Sequence, residues 1–129
     1  MATVTSTLTL ASTAGDLTTQ VLSLTAAESI SAAHTSGVGR TKITQTTKGN
    51  GSNETVYAAN TYGNSPVYLY VMNTSANTIT LWIDGTGNHE VIKLAAGNWG
   101  FIPIAHDVTL KAFASVADSV LEYLTFGTE

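Results

Sequence analysis

The 129-residue sequence predicts an all-β protein: an antiparallel, jelly-roll-like β-sandwich with an extended, polar N-terminal strand region. Apolar and polar residues alternate with a period of two along most of the chain, which is the period of a half-buried strand. Gly and Asn residues that favour turns separate these stretches at intervals of roughly 8–12 residues, as in sandwiches and barrels. No helical pattern alternates with the strands, so a parallel sheet is not expected.

Aromatic residues are confined to the C-terminal part of the chain, because none occurs before Tyr57. Aromatic side chains bury the largest apolar areas in β-cores. The preceding residues, mostly Thr, Ser, Ala and Gly, are too poor to form a core alone and must lie along the rest of the chain or along a neighbouring subunit. We predict Thr/Ser-rich strands or an assembly arm over residues 1–48 and a sandwich core over residues 49–129, together forming one domain.

The N-terminal segment begins with a strand, Thr3–Leu10, in which threonine occupies every second position. The threonines lie on one face, and Val4, Leu8 and Leu10 lie on the other. This is the pattern of a half-buried strand. A second, less regular strand is expected over Leu17–Thr25.

The segment Ala26–Ala33 is ambiguous, because its alanines permit a short helix. Ile30 is its only strong apolar anchor, so strand or irregular structure is favoured over a helix. After a break that contains two glycines, a polar strand is expected over residues 40–47, around Ile43. The Gly- and Asn-rich turn 48–53 is the strongest turn signal in the chain and ends the N-terminal segment.

The core is predicted to consist of short strands that are separated by turns. These strands cover residues 55–59, 66–72, 78–84, 90–95, 99–104, 108–112 and 119–126. Residues 66–72 are apolar almost throughout, which is typical of a central strand that is covered on both faces. Together with residues 78–84 they form the strongest hairpin pattern in the chain, joined by a turn over residues 73–77.

Trp82 interrupts the alternation of its predicted strand. It lies opposite the leucine and isoleucines of residues 79–83, on a face that otherwise carries threonines. Such a Trp is either buried beneath a second layer or exposed as a platform on which sugar rings stack. Burial in the sandwich or at a subunit interface is favoured, because interfaces concentrate Trp and Tyr.

The chain is weakly charged and slightly acidic. Charged residues make up 11% of the sequence, against about 25% in typical soluble domains, and the net charge is −4. The basic residues are too few and too scattered to track phosphates, so no nucleic-acid partner is expected. They are Arg40, Lys42, Lys48, Lys93 and Lys111. The sequence has neither a run of roughly 20 apolar residues nor the charge pattern of a secretory signal, so we expect no membrane span and synthesis in the cytoplasm.

The sequence offers no signature of an enzyme. It contains no cysteine and no Gly-x-Ser-x-Gly nucleophile elbow. Its histidines, and the carboxylates that could pair as in a glycosidase, fall mostly at predicted turns or solvent faces and lack metal-ligand spacing. These residues are His34, His89, His106, Asp84, Glu90, Asp107 and Glu122. We therefore expect a non-enzymatic protein with no catalytic residue, no metal and no cofactor.

The order of motifs in residues 55–127 resembles that of small β-sandwich virion proteins of tailed bacteriophages, of the decoration, cement or tail-accessory kind. The resemblance is carried by Tyr68–Thr74, by Ile92–Gly97 and by Leu121–Gly127, which match the recurring patterns YLYxxN, IxLxAG and EYLxFG. The polar N-terminal half resembles the extended segments with which such proteins reach their neighbours. No catalytic residue is carried over, because the family is structural.

The resemblance implies a structural protein of the phage virion that stabilises the particle through subunit contacts. Its expected partners are further copies of itself, for example in a trimer, and other virion proteins such as the major capsid protein. The alternative is a carbohydrate-binding sandwich module on a capsid or tail appendage, with a glycan as ligand. The residues expected to form the core or the interface are Val4, Leu8, Leu10, Tyr68, Tyr70, Trp82, Trp99 and Phe101.

Overall fold

The computed structural model describes residues 2–11, 23–49, 51–85 and 87–128. These ranges contain strands and no helix, and 63% of the described residues are strand. The strands are β1 (Ala2–Ala11), β2 (Ser23–Thr35), β3 (Gly39–Ile43), β4 (Glu54–Tyr57), β5 (Val67–Asn73), β6 (Ile79–Asp84), β7 (Glu90–Leu94), β8 (Trp99–Ile104), β9 (Thr109–Ala114) and β10 (Ser119–Thr128). The predicted all-β class is confirmed. No helix in the described ranges is long and apolar enough to cross a bilayer.

The chain forms two compact units, Met1–Ala33 and His34–Glu129. In the first unit, β1 and β2 pair as an antiparallel hairpin in which Leu10 lies opposite Leu24 and Val4 opposite Ile30. Directly opposed residues share a face, so apolar residues of both strands lie on one side and most hydroxyl residues on the other.

The hairpin decides two predictions about the N-terminal segment. The ambiguous segment Ala26–Ala33 is strand, as favoured from the sequence, because it lies within β2. The predicted strand Leu17–Thr25 lies mostly outside the described residues; its last three residues begin β2. β3, which falls within the predicted N-terminal segment 1–48, belongs to the second unit and pairs with β10.

The second unit is an antiparallel β-sandwich, as predicted. We call its two layers sheet I, which orders the strands β8-β5-β10-β3, and sheet II, which orders them β4-β9-β6-β7. The inward side chains of both sheets form one apolar cluster of buried residues. The cluster consists of Ile43, Val56, Tyr57, Val67, Leu69, Val71, Ile79, Leu81, Leu94, Leu110, Ala112, Ala114 and Leu121. Each Leu, Ile or Val buried there stabilises the fold by about 1.5–3 kcal/mol.

The hairpin predicted from residues 66–72 and 78–84 is wrong. β5 pairs with β10 and β8 in sheet I, whereas β6 pairs with β9 and β7 in sheet II. The turn after β5 therefore carries the chain from one layer to the other. Both edges of β5 and both edges of β6 are occupied by other strands, which leaves no edge at which the two could pair. β5 is central as predicted, with its inward residues buried and its outward residues half-buried.

Trp82 is buried, although it lies on the outer face of sheet II. Its side chain is 1% exposed, and the Lys111 ammonium lies 5.9 Å from the centre of its ring. The connection between β3 and β4 contacts two strands of sheet II. The Gln45 carbonyl accepts a hydrogen bond from the Ala114 N–H of β9, and Lys48 pairs with Glu90 of β7 at 3.3 Å. Because β6 lies between β9 and β7, the connection contacts both strands that flank the strand of Trp82.

Replacement of Trp82 tests this burial. We expect Trp82→Ala to lower the free energy of unfolding by about 3–5 kcal/mol, because it leaves a large cavity. Trp82→Phe should cost clearly less, since Phe fills much of the volume and removes an indole N–H that is buried without a partner among the described residues. Urea unfolding monitored by circular dichroism would measure both. A wild-type midpoint for Trp82→Ala would contradict the burial.

Candidate functional site

The outer face of sheet I collects most of the aromatic residues that the sequence analysis singled out. Outward positions of β5 face outward positions of β8 and of β10 across the two ladders. Tyr70 lies opposite Phe101 on one side and opposite Leu124 on the other, so that the three form a row across the sheet. We call this surface the aromatic face. It consists of Tyr68, Tyr70, Met72, Trp99, Phe101, Pro103, Leu124 and Phe126.

One end of the aromatic face is closely packed. The ring centres of Tyr68 and Phe126 lie 5.3 Å apart, and those of Phe101 and Phe126 lie 6.0 Å apart, with the ring planes nearly parallel. Phe126 is only 1% exposed, while Tyr68 and Phe101 are half-buried. Stacked aromatic pairs stabilise a fold by about 0.5–1.5 kcal/mol beyond the burial of their area. This end of the face therefore contributes to the stability of the second unit.

The other end of the aromatic face is open to solvent. Trp99 is 58% exposed and lies opposite the half-buried Met72. Trp and Met are enriched in the buried centres of protein interfaces, and Trp is among the residues that most often dominate binding energy. Trp99 is thus the residue of this face with the most apolar area available for a partner.

A polar group borders the aromatic face along β10 and β3. The Arg40 guanidinium donates to Glu122 Oε2 at 2.7 Å, and the Tyr70 hydroxyl donates to Glu122 Oε1 at 3.1 Å. These two hydrogen bonds, that of Arg40 first, hold the pKa of Glu122 below its usual value. Burial and the hydrogen bond to Glu122 raise the pKa of Tyr70. The carboxylate thus fixes the Tyr70 ring within the aromatic face.

Asn73 fixes the backbone that carries Trp99. Its own N–H donates to the Asn98 carbonyl at 2.9 Å, and its carbonyl accepts from the Gly97 N–H at 3.0 Å. Asn98 directly precedes Trp99, so these two bonds hold the start of β8 against the end of β5. The exposed indole of Trp99 therefore projects from backbone that is fixed by these two bonds and by its pairing with β5.

The Asn73 side chain joins the two sheets. It is fully buried, and its Nδ2 lies 3.0 Å from the Leu94 carbonyl and 2.6 Å from the Asn77 carbonyl. Its Oδ1 accepts from the backbone N–H of Ser75 at 3.0 Å. Asn73 belongs to sheet I, Leu94 to sheet II, and the other two partners to the turn between them. The side chain thus shapes the crossing from β5 to β6.

The outer face of sheet II carries a shallow groove of about 320 Å³. Its lining combines hydroxyl groups, one aromatic ring, one carboxylate and one ammonium group. It is lined by Thr78, Thr80, Glu90, Lys93, Phe113 and Ser115. Hydroxyls and charged groups beside an aromatic ring are able to bind a polar, ring-shaped ligand such as a sugar, and the volume is near the lower end for small-molecule sites.

Three of the four carboxylates considered for catalysis, Asp84, Glu90 and Glu122, are engaged in ion pairs. Asp84 pairs with Lys111 at 2.7 Å on sheet II, whereas Glu122 pairs with Arg40 on sheet I. His34 stacks on the ring of Tyr62 with the centres 5.8 Å apart. Among the described residues, no three His, Asp or Glu side chains lie together in an arrangement that could hold a metal ion.

Half of the predicted interface residues lie together. Tyr68, Tyr70, Trp99 and Phe101 all belong to the aromatic face, whereas Trp82 is buried on the other sheet. The sequence alone could not bring β5 and β8 together, because the two strands are separated by β6 and β7 along the chain.

The other three predicted residues lie in the first unit. Val4, Leu8 and Leu10 share one face of the hairpin, as predicted. Leu8 and Leu10 are each 44% exposed, and Leu24 beside them is 56% exposed. The hairpin therefore presents a second apolar surface, which we call the leucine face and define by Val4, Leu8, Leu10 and Leu24.

Sequence reasoning missed four members of the aromatic face and the Asn73 junction. The four stand at outward positions of their strands, which the period of two identifies once the direction of a neighbour such as Tyr70 is known. They are Met72, Pro103, Leu124 and Phe126. For Asn73 the only signal was a turn-forming residue at the end of an apolar strand, and that signal does not reveal burial.

Comparison of the chain with models of protein families, with curated proteins and with solved structures finds no match in any of the three.

The lowered pKa of Glu122 leads us to expect that the stability of the fold depends on pH. Because its pKa is lowered in the folded state, its contribution to stability is complete above the ordinary carboxyl value of 4.5 and is lost as the pH falls through the lowered value. The difference in unfolding free energy between the wild type and Glu122→Gln should therefore be largest at neutral pH and shrink in acid. Chemical unfolding at a series of pH values measures it. A difference that grows in acid would contradict the assignment.

The hydrogen bonds of the Asn73 side chain lead us to expect a large loss of stability when this side chain is removed. Asn73→Ala should lower the free energy of unfolding by at least about 2 kcal/mol, because it leaves the Leu94 carbonyl of sheet II and the Asn77 carbonyl of the turn without this donor. The matched control is Thr74→Ala, which removes from an exposed neighbour one side-chain hydrogen bond to the Val120 carbonyl and should cost less than about 1 kcal/mol. Equal urea midpoints for the two variants would show that Asn73 is an ordinary turn residue.

Proposed function

We propose that this chain is a non-enzymatic structural protein of a phage virion, of the decoration or cement type, which stabilises the particle through subunit contacts. The observation that carries the proposal is the exposed Trp99 at the open end of the aromatic face. Large apolar side chains that are exposed beside one another favour a protein partner over bulk water. The resemblance to small virion proteins of tailed bacteriophages supports the same class of function.

The composition supports a role in assembly. Only 11% of the residues are charged, and Thr, Ser, Asn and Gly are abundant. Flat contacts between subunits therefore require the removal of water from few charges. The leucine face of the hairpin offers a second apolar surface, with Leu24 56% exposed. An apolar surface on each of the two units suits a protein that contacts more than one neighbour.

The partners in this proposal are other copies of the chain, for example in a trimer, and other virion proteins such as the major capsid protein. The chain would be made in the host cytoplasm and reside in the virion. Neither nucleic acid nor a membrane has a role, and no cofactor takes part. The bordering Arg40–Glu122 pair would lie at the rim of a contact, where charged groups contribute mainly to specificity.

A carbohydrate-binding module is the second candidate, and specific observations favour it as well. An exposed indole such as Trp99 is a surface on which a sugar ring stacks, and the groove beside Phe113 offers hydroxyl and charged groups. Such a module would contact a host glycan from a capsid or tail appendage.

Substitution of Trp99 tests the proposed function. We expect Trp99→Ala to keep the fold but to reduce self-association, or binding to partner capsids, by about tenfold or more, as for a central interface Trp. Multi-angle light scattering over a wide concentration range measures self-association, and co-sedimentation measures binding to particles. Val91→Ala is the matched control, because Val91 is 48% exposed on the other sheet and should leave both unchanged.

The same two variants separate the candidates. If Trp99→Ala keeps the mass and the particle binding of the wild type but loses binding on a glycan array, the carbohydrate-binding function replaces the structural one. If Trp99→Ala changes none of the three, the aromatic face is not the functional surface.

A further inference from the structure

We infer that β1 is a self-pairing edge that binds β1 of a second copy of this chain in antiparallel orientation. The inference deepens the proposed function and rests on it, since it names one contact through which copies assemble. It concerns the first unit alone. The aromatic face belongs to the second unit and has its own test.

β1 presents a long, free row of backbone groups. Among the described residues it is hydrogen-bonded only to β2. In a strand of ten residues, every second residue directs its N–H and C=O groups away from the paired neighbour. Such a row is a template on which another strand can add.

The sequence of β1 carries none of the features that block edge pairing. Ala-Thr-Val-Thr-Ser-Thr-Leu-Thr-Leu-Ala contains no proline, no glycine and no charge. Native proteins protect exposed edges with charges, prolines, bulges or very short strands. β1 has none of these, and its register with β2 continues without a shift from end to end.

The edge strands of the sandwich are protected. β8 contains Pro103 and β3 contains Arg40 and Lys42. β7 contains Glu90 and Lys93 and has a register shift against β6. β4 has only four residues and a register shift of its own. Of the strands described here that have a free edge, β1 is the one that lacks protection, so the edge that remains open for a partner belongs to the hairpin.

The sequence of β1 is complementary to itself in one antiparallel register. With Ser6 opposite Ser6 of the second copy, Val4 lies opposite Leu8 twice, and Thr5 lies opposite Thr7 twice. Directly opposed residues share a face, so each apolar residue meets an apolar residue and each threonine a threonine. Centring the pair on Thr7 instead would set Ser6 against Leu8. A shift of the register by one residue would pair odd-numbered with even-numbered residues, and would therefore set threonines opposite apolar residues.

A second copy fits this edge better than an unrelated strand for two reasons. A two-fold axis brings every residue near its own copy, and a charged strand would then repel itself, whereas β1 is neutral. The pairing also places the leucine faces of two hairpins, whose Leu8 and Leu10 are each 44% exposed, on the same side of one joint sheet, where Ser6 and Glu28 of each copy form a polar row between their apolar residues. A contact of this symmetry closes at two copies.

Cross-linking tests the register. The chain has no cysteine, so a single Ser6→Cys substitution places one thiol at the two-fold axis, with Cβ atoms about 4.5–5.5 Å apart in the pair. We expect Ser6→Cys in the full-length protein to form disulfide-linked dimers under mild oxidation. Thr3→Cys is the control: its two copies would be about 20 Å apart along the strands, at roughly 3.3 Å per residue, and should not cross-link.

Charge substitution tests the contact independently. Thr5→Lys with Thr7→Lys sets lysine against lysine twice, and should raise the dissociation constant of the dimer by about tenfold or more. Thr5→Lys with Thr7→Glu sets opposite charges against each other and should restore association. Thr25→Lys with Ala27→Lys adds the same charge on the same face of β2, away from the edge, and should leave association unchanged. Light scattering compares all three with the wild type.

The outcomes distinguish this inference from the proposed function. A wild type that associates, with no cross-linking by Ser6→Cys and equal association of the two charge variants, overturns β1 pairing and leaves the Trp99 test standing. A wild type that is monomeric at every concentration also overturns β1 pairing, while binding to capsid particles remains open to measurement. Loss of particle binding in Trp99→Ala with intact Ser6→Cys dimers supports both.

Discussion

A single buried amide, Asn73, determines how the two sheets of the sandwich are joined. The inward faces of both sheets are apolar and would pack together in many relative positions, because the hydrophobic effect is not directional. The Asn73 side chain bonds to carbonyls of Leu94 and Asn77, and its backbone bonds to Gly97 and Asn98. These bonds anchor two turns at one end of the sandwich and so select one arrangement of the strands that leave them.

The same junction connects stability to the exposed surface. Asn98 precedes Trp99, and Asn73 follows Met72, so the residues opposed at the open end of the aromatic face are both adjacent to the junction in sequence. A binding residue is most effective when its backbone is already fixed, because less conformational freedom is lost when a partner binds. The polar pair at the side of the face acts similarly on Tyr70, through the hydroxyl bond to Glu122.

The sequence predicts individual strands well and their pairing poorly. A period of two defines β1, β6 and β9 from local residues, because alternation is a property of one strand and its burial. The hairpin between β5 and β6 failed because an apolar strand, a short turn and a second apolar strand are equally compatible with a crossing between layers. Trp82 lies beneath Lys111 of β9, and the aromatic face depends on β8 pairing with β5. Both are contacts between distant parts of the sequence, which local patterns do not encode.

The two units manage exposed structure in opposite ways. In the sandwich, free edges carry charges, proline or bulges, and most large apolar side chains are covered. In the hairpin, the free edge is neutral and regular, and the leucines beside it are half exposed. An unprotected edge promotes aggregation unless one specific partner occupies it. A strand that opposes Ser6 to itself, and apolar residues to apolar residues, in one antiparallel register restricts that partner to one orientation and ends the association at two copies. The open edge then favours a defined dimer over continued growth.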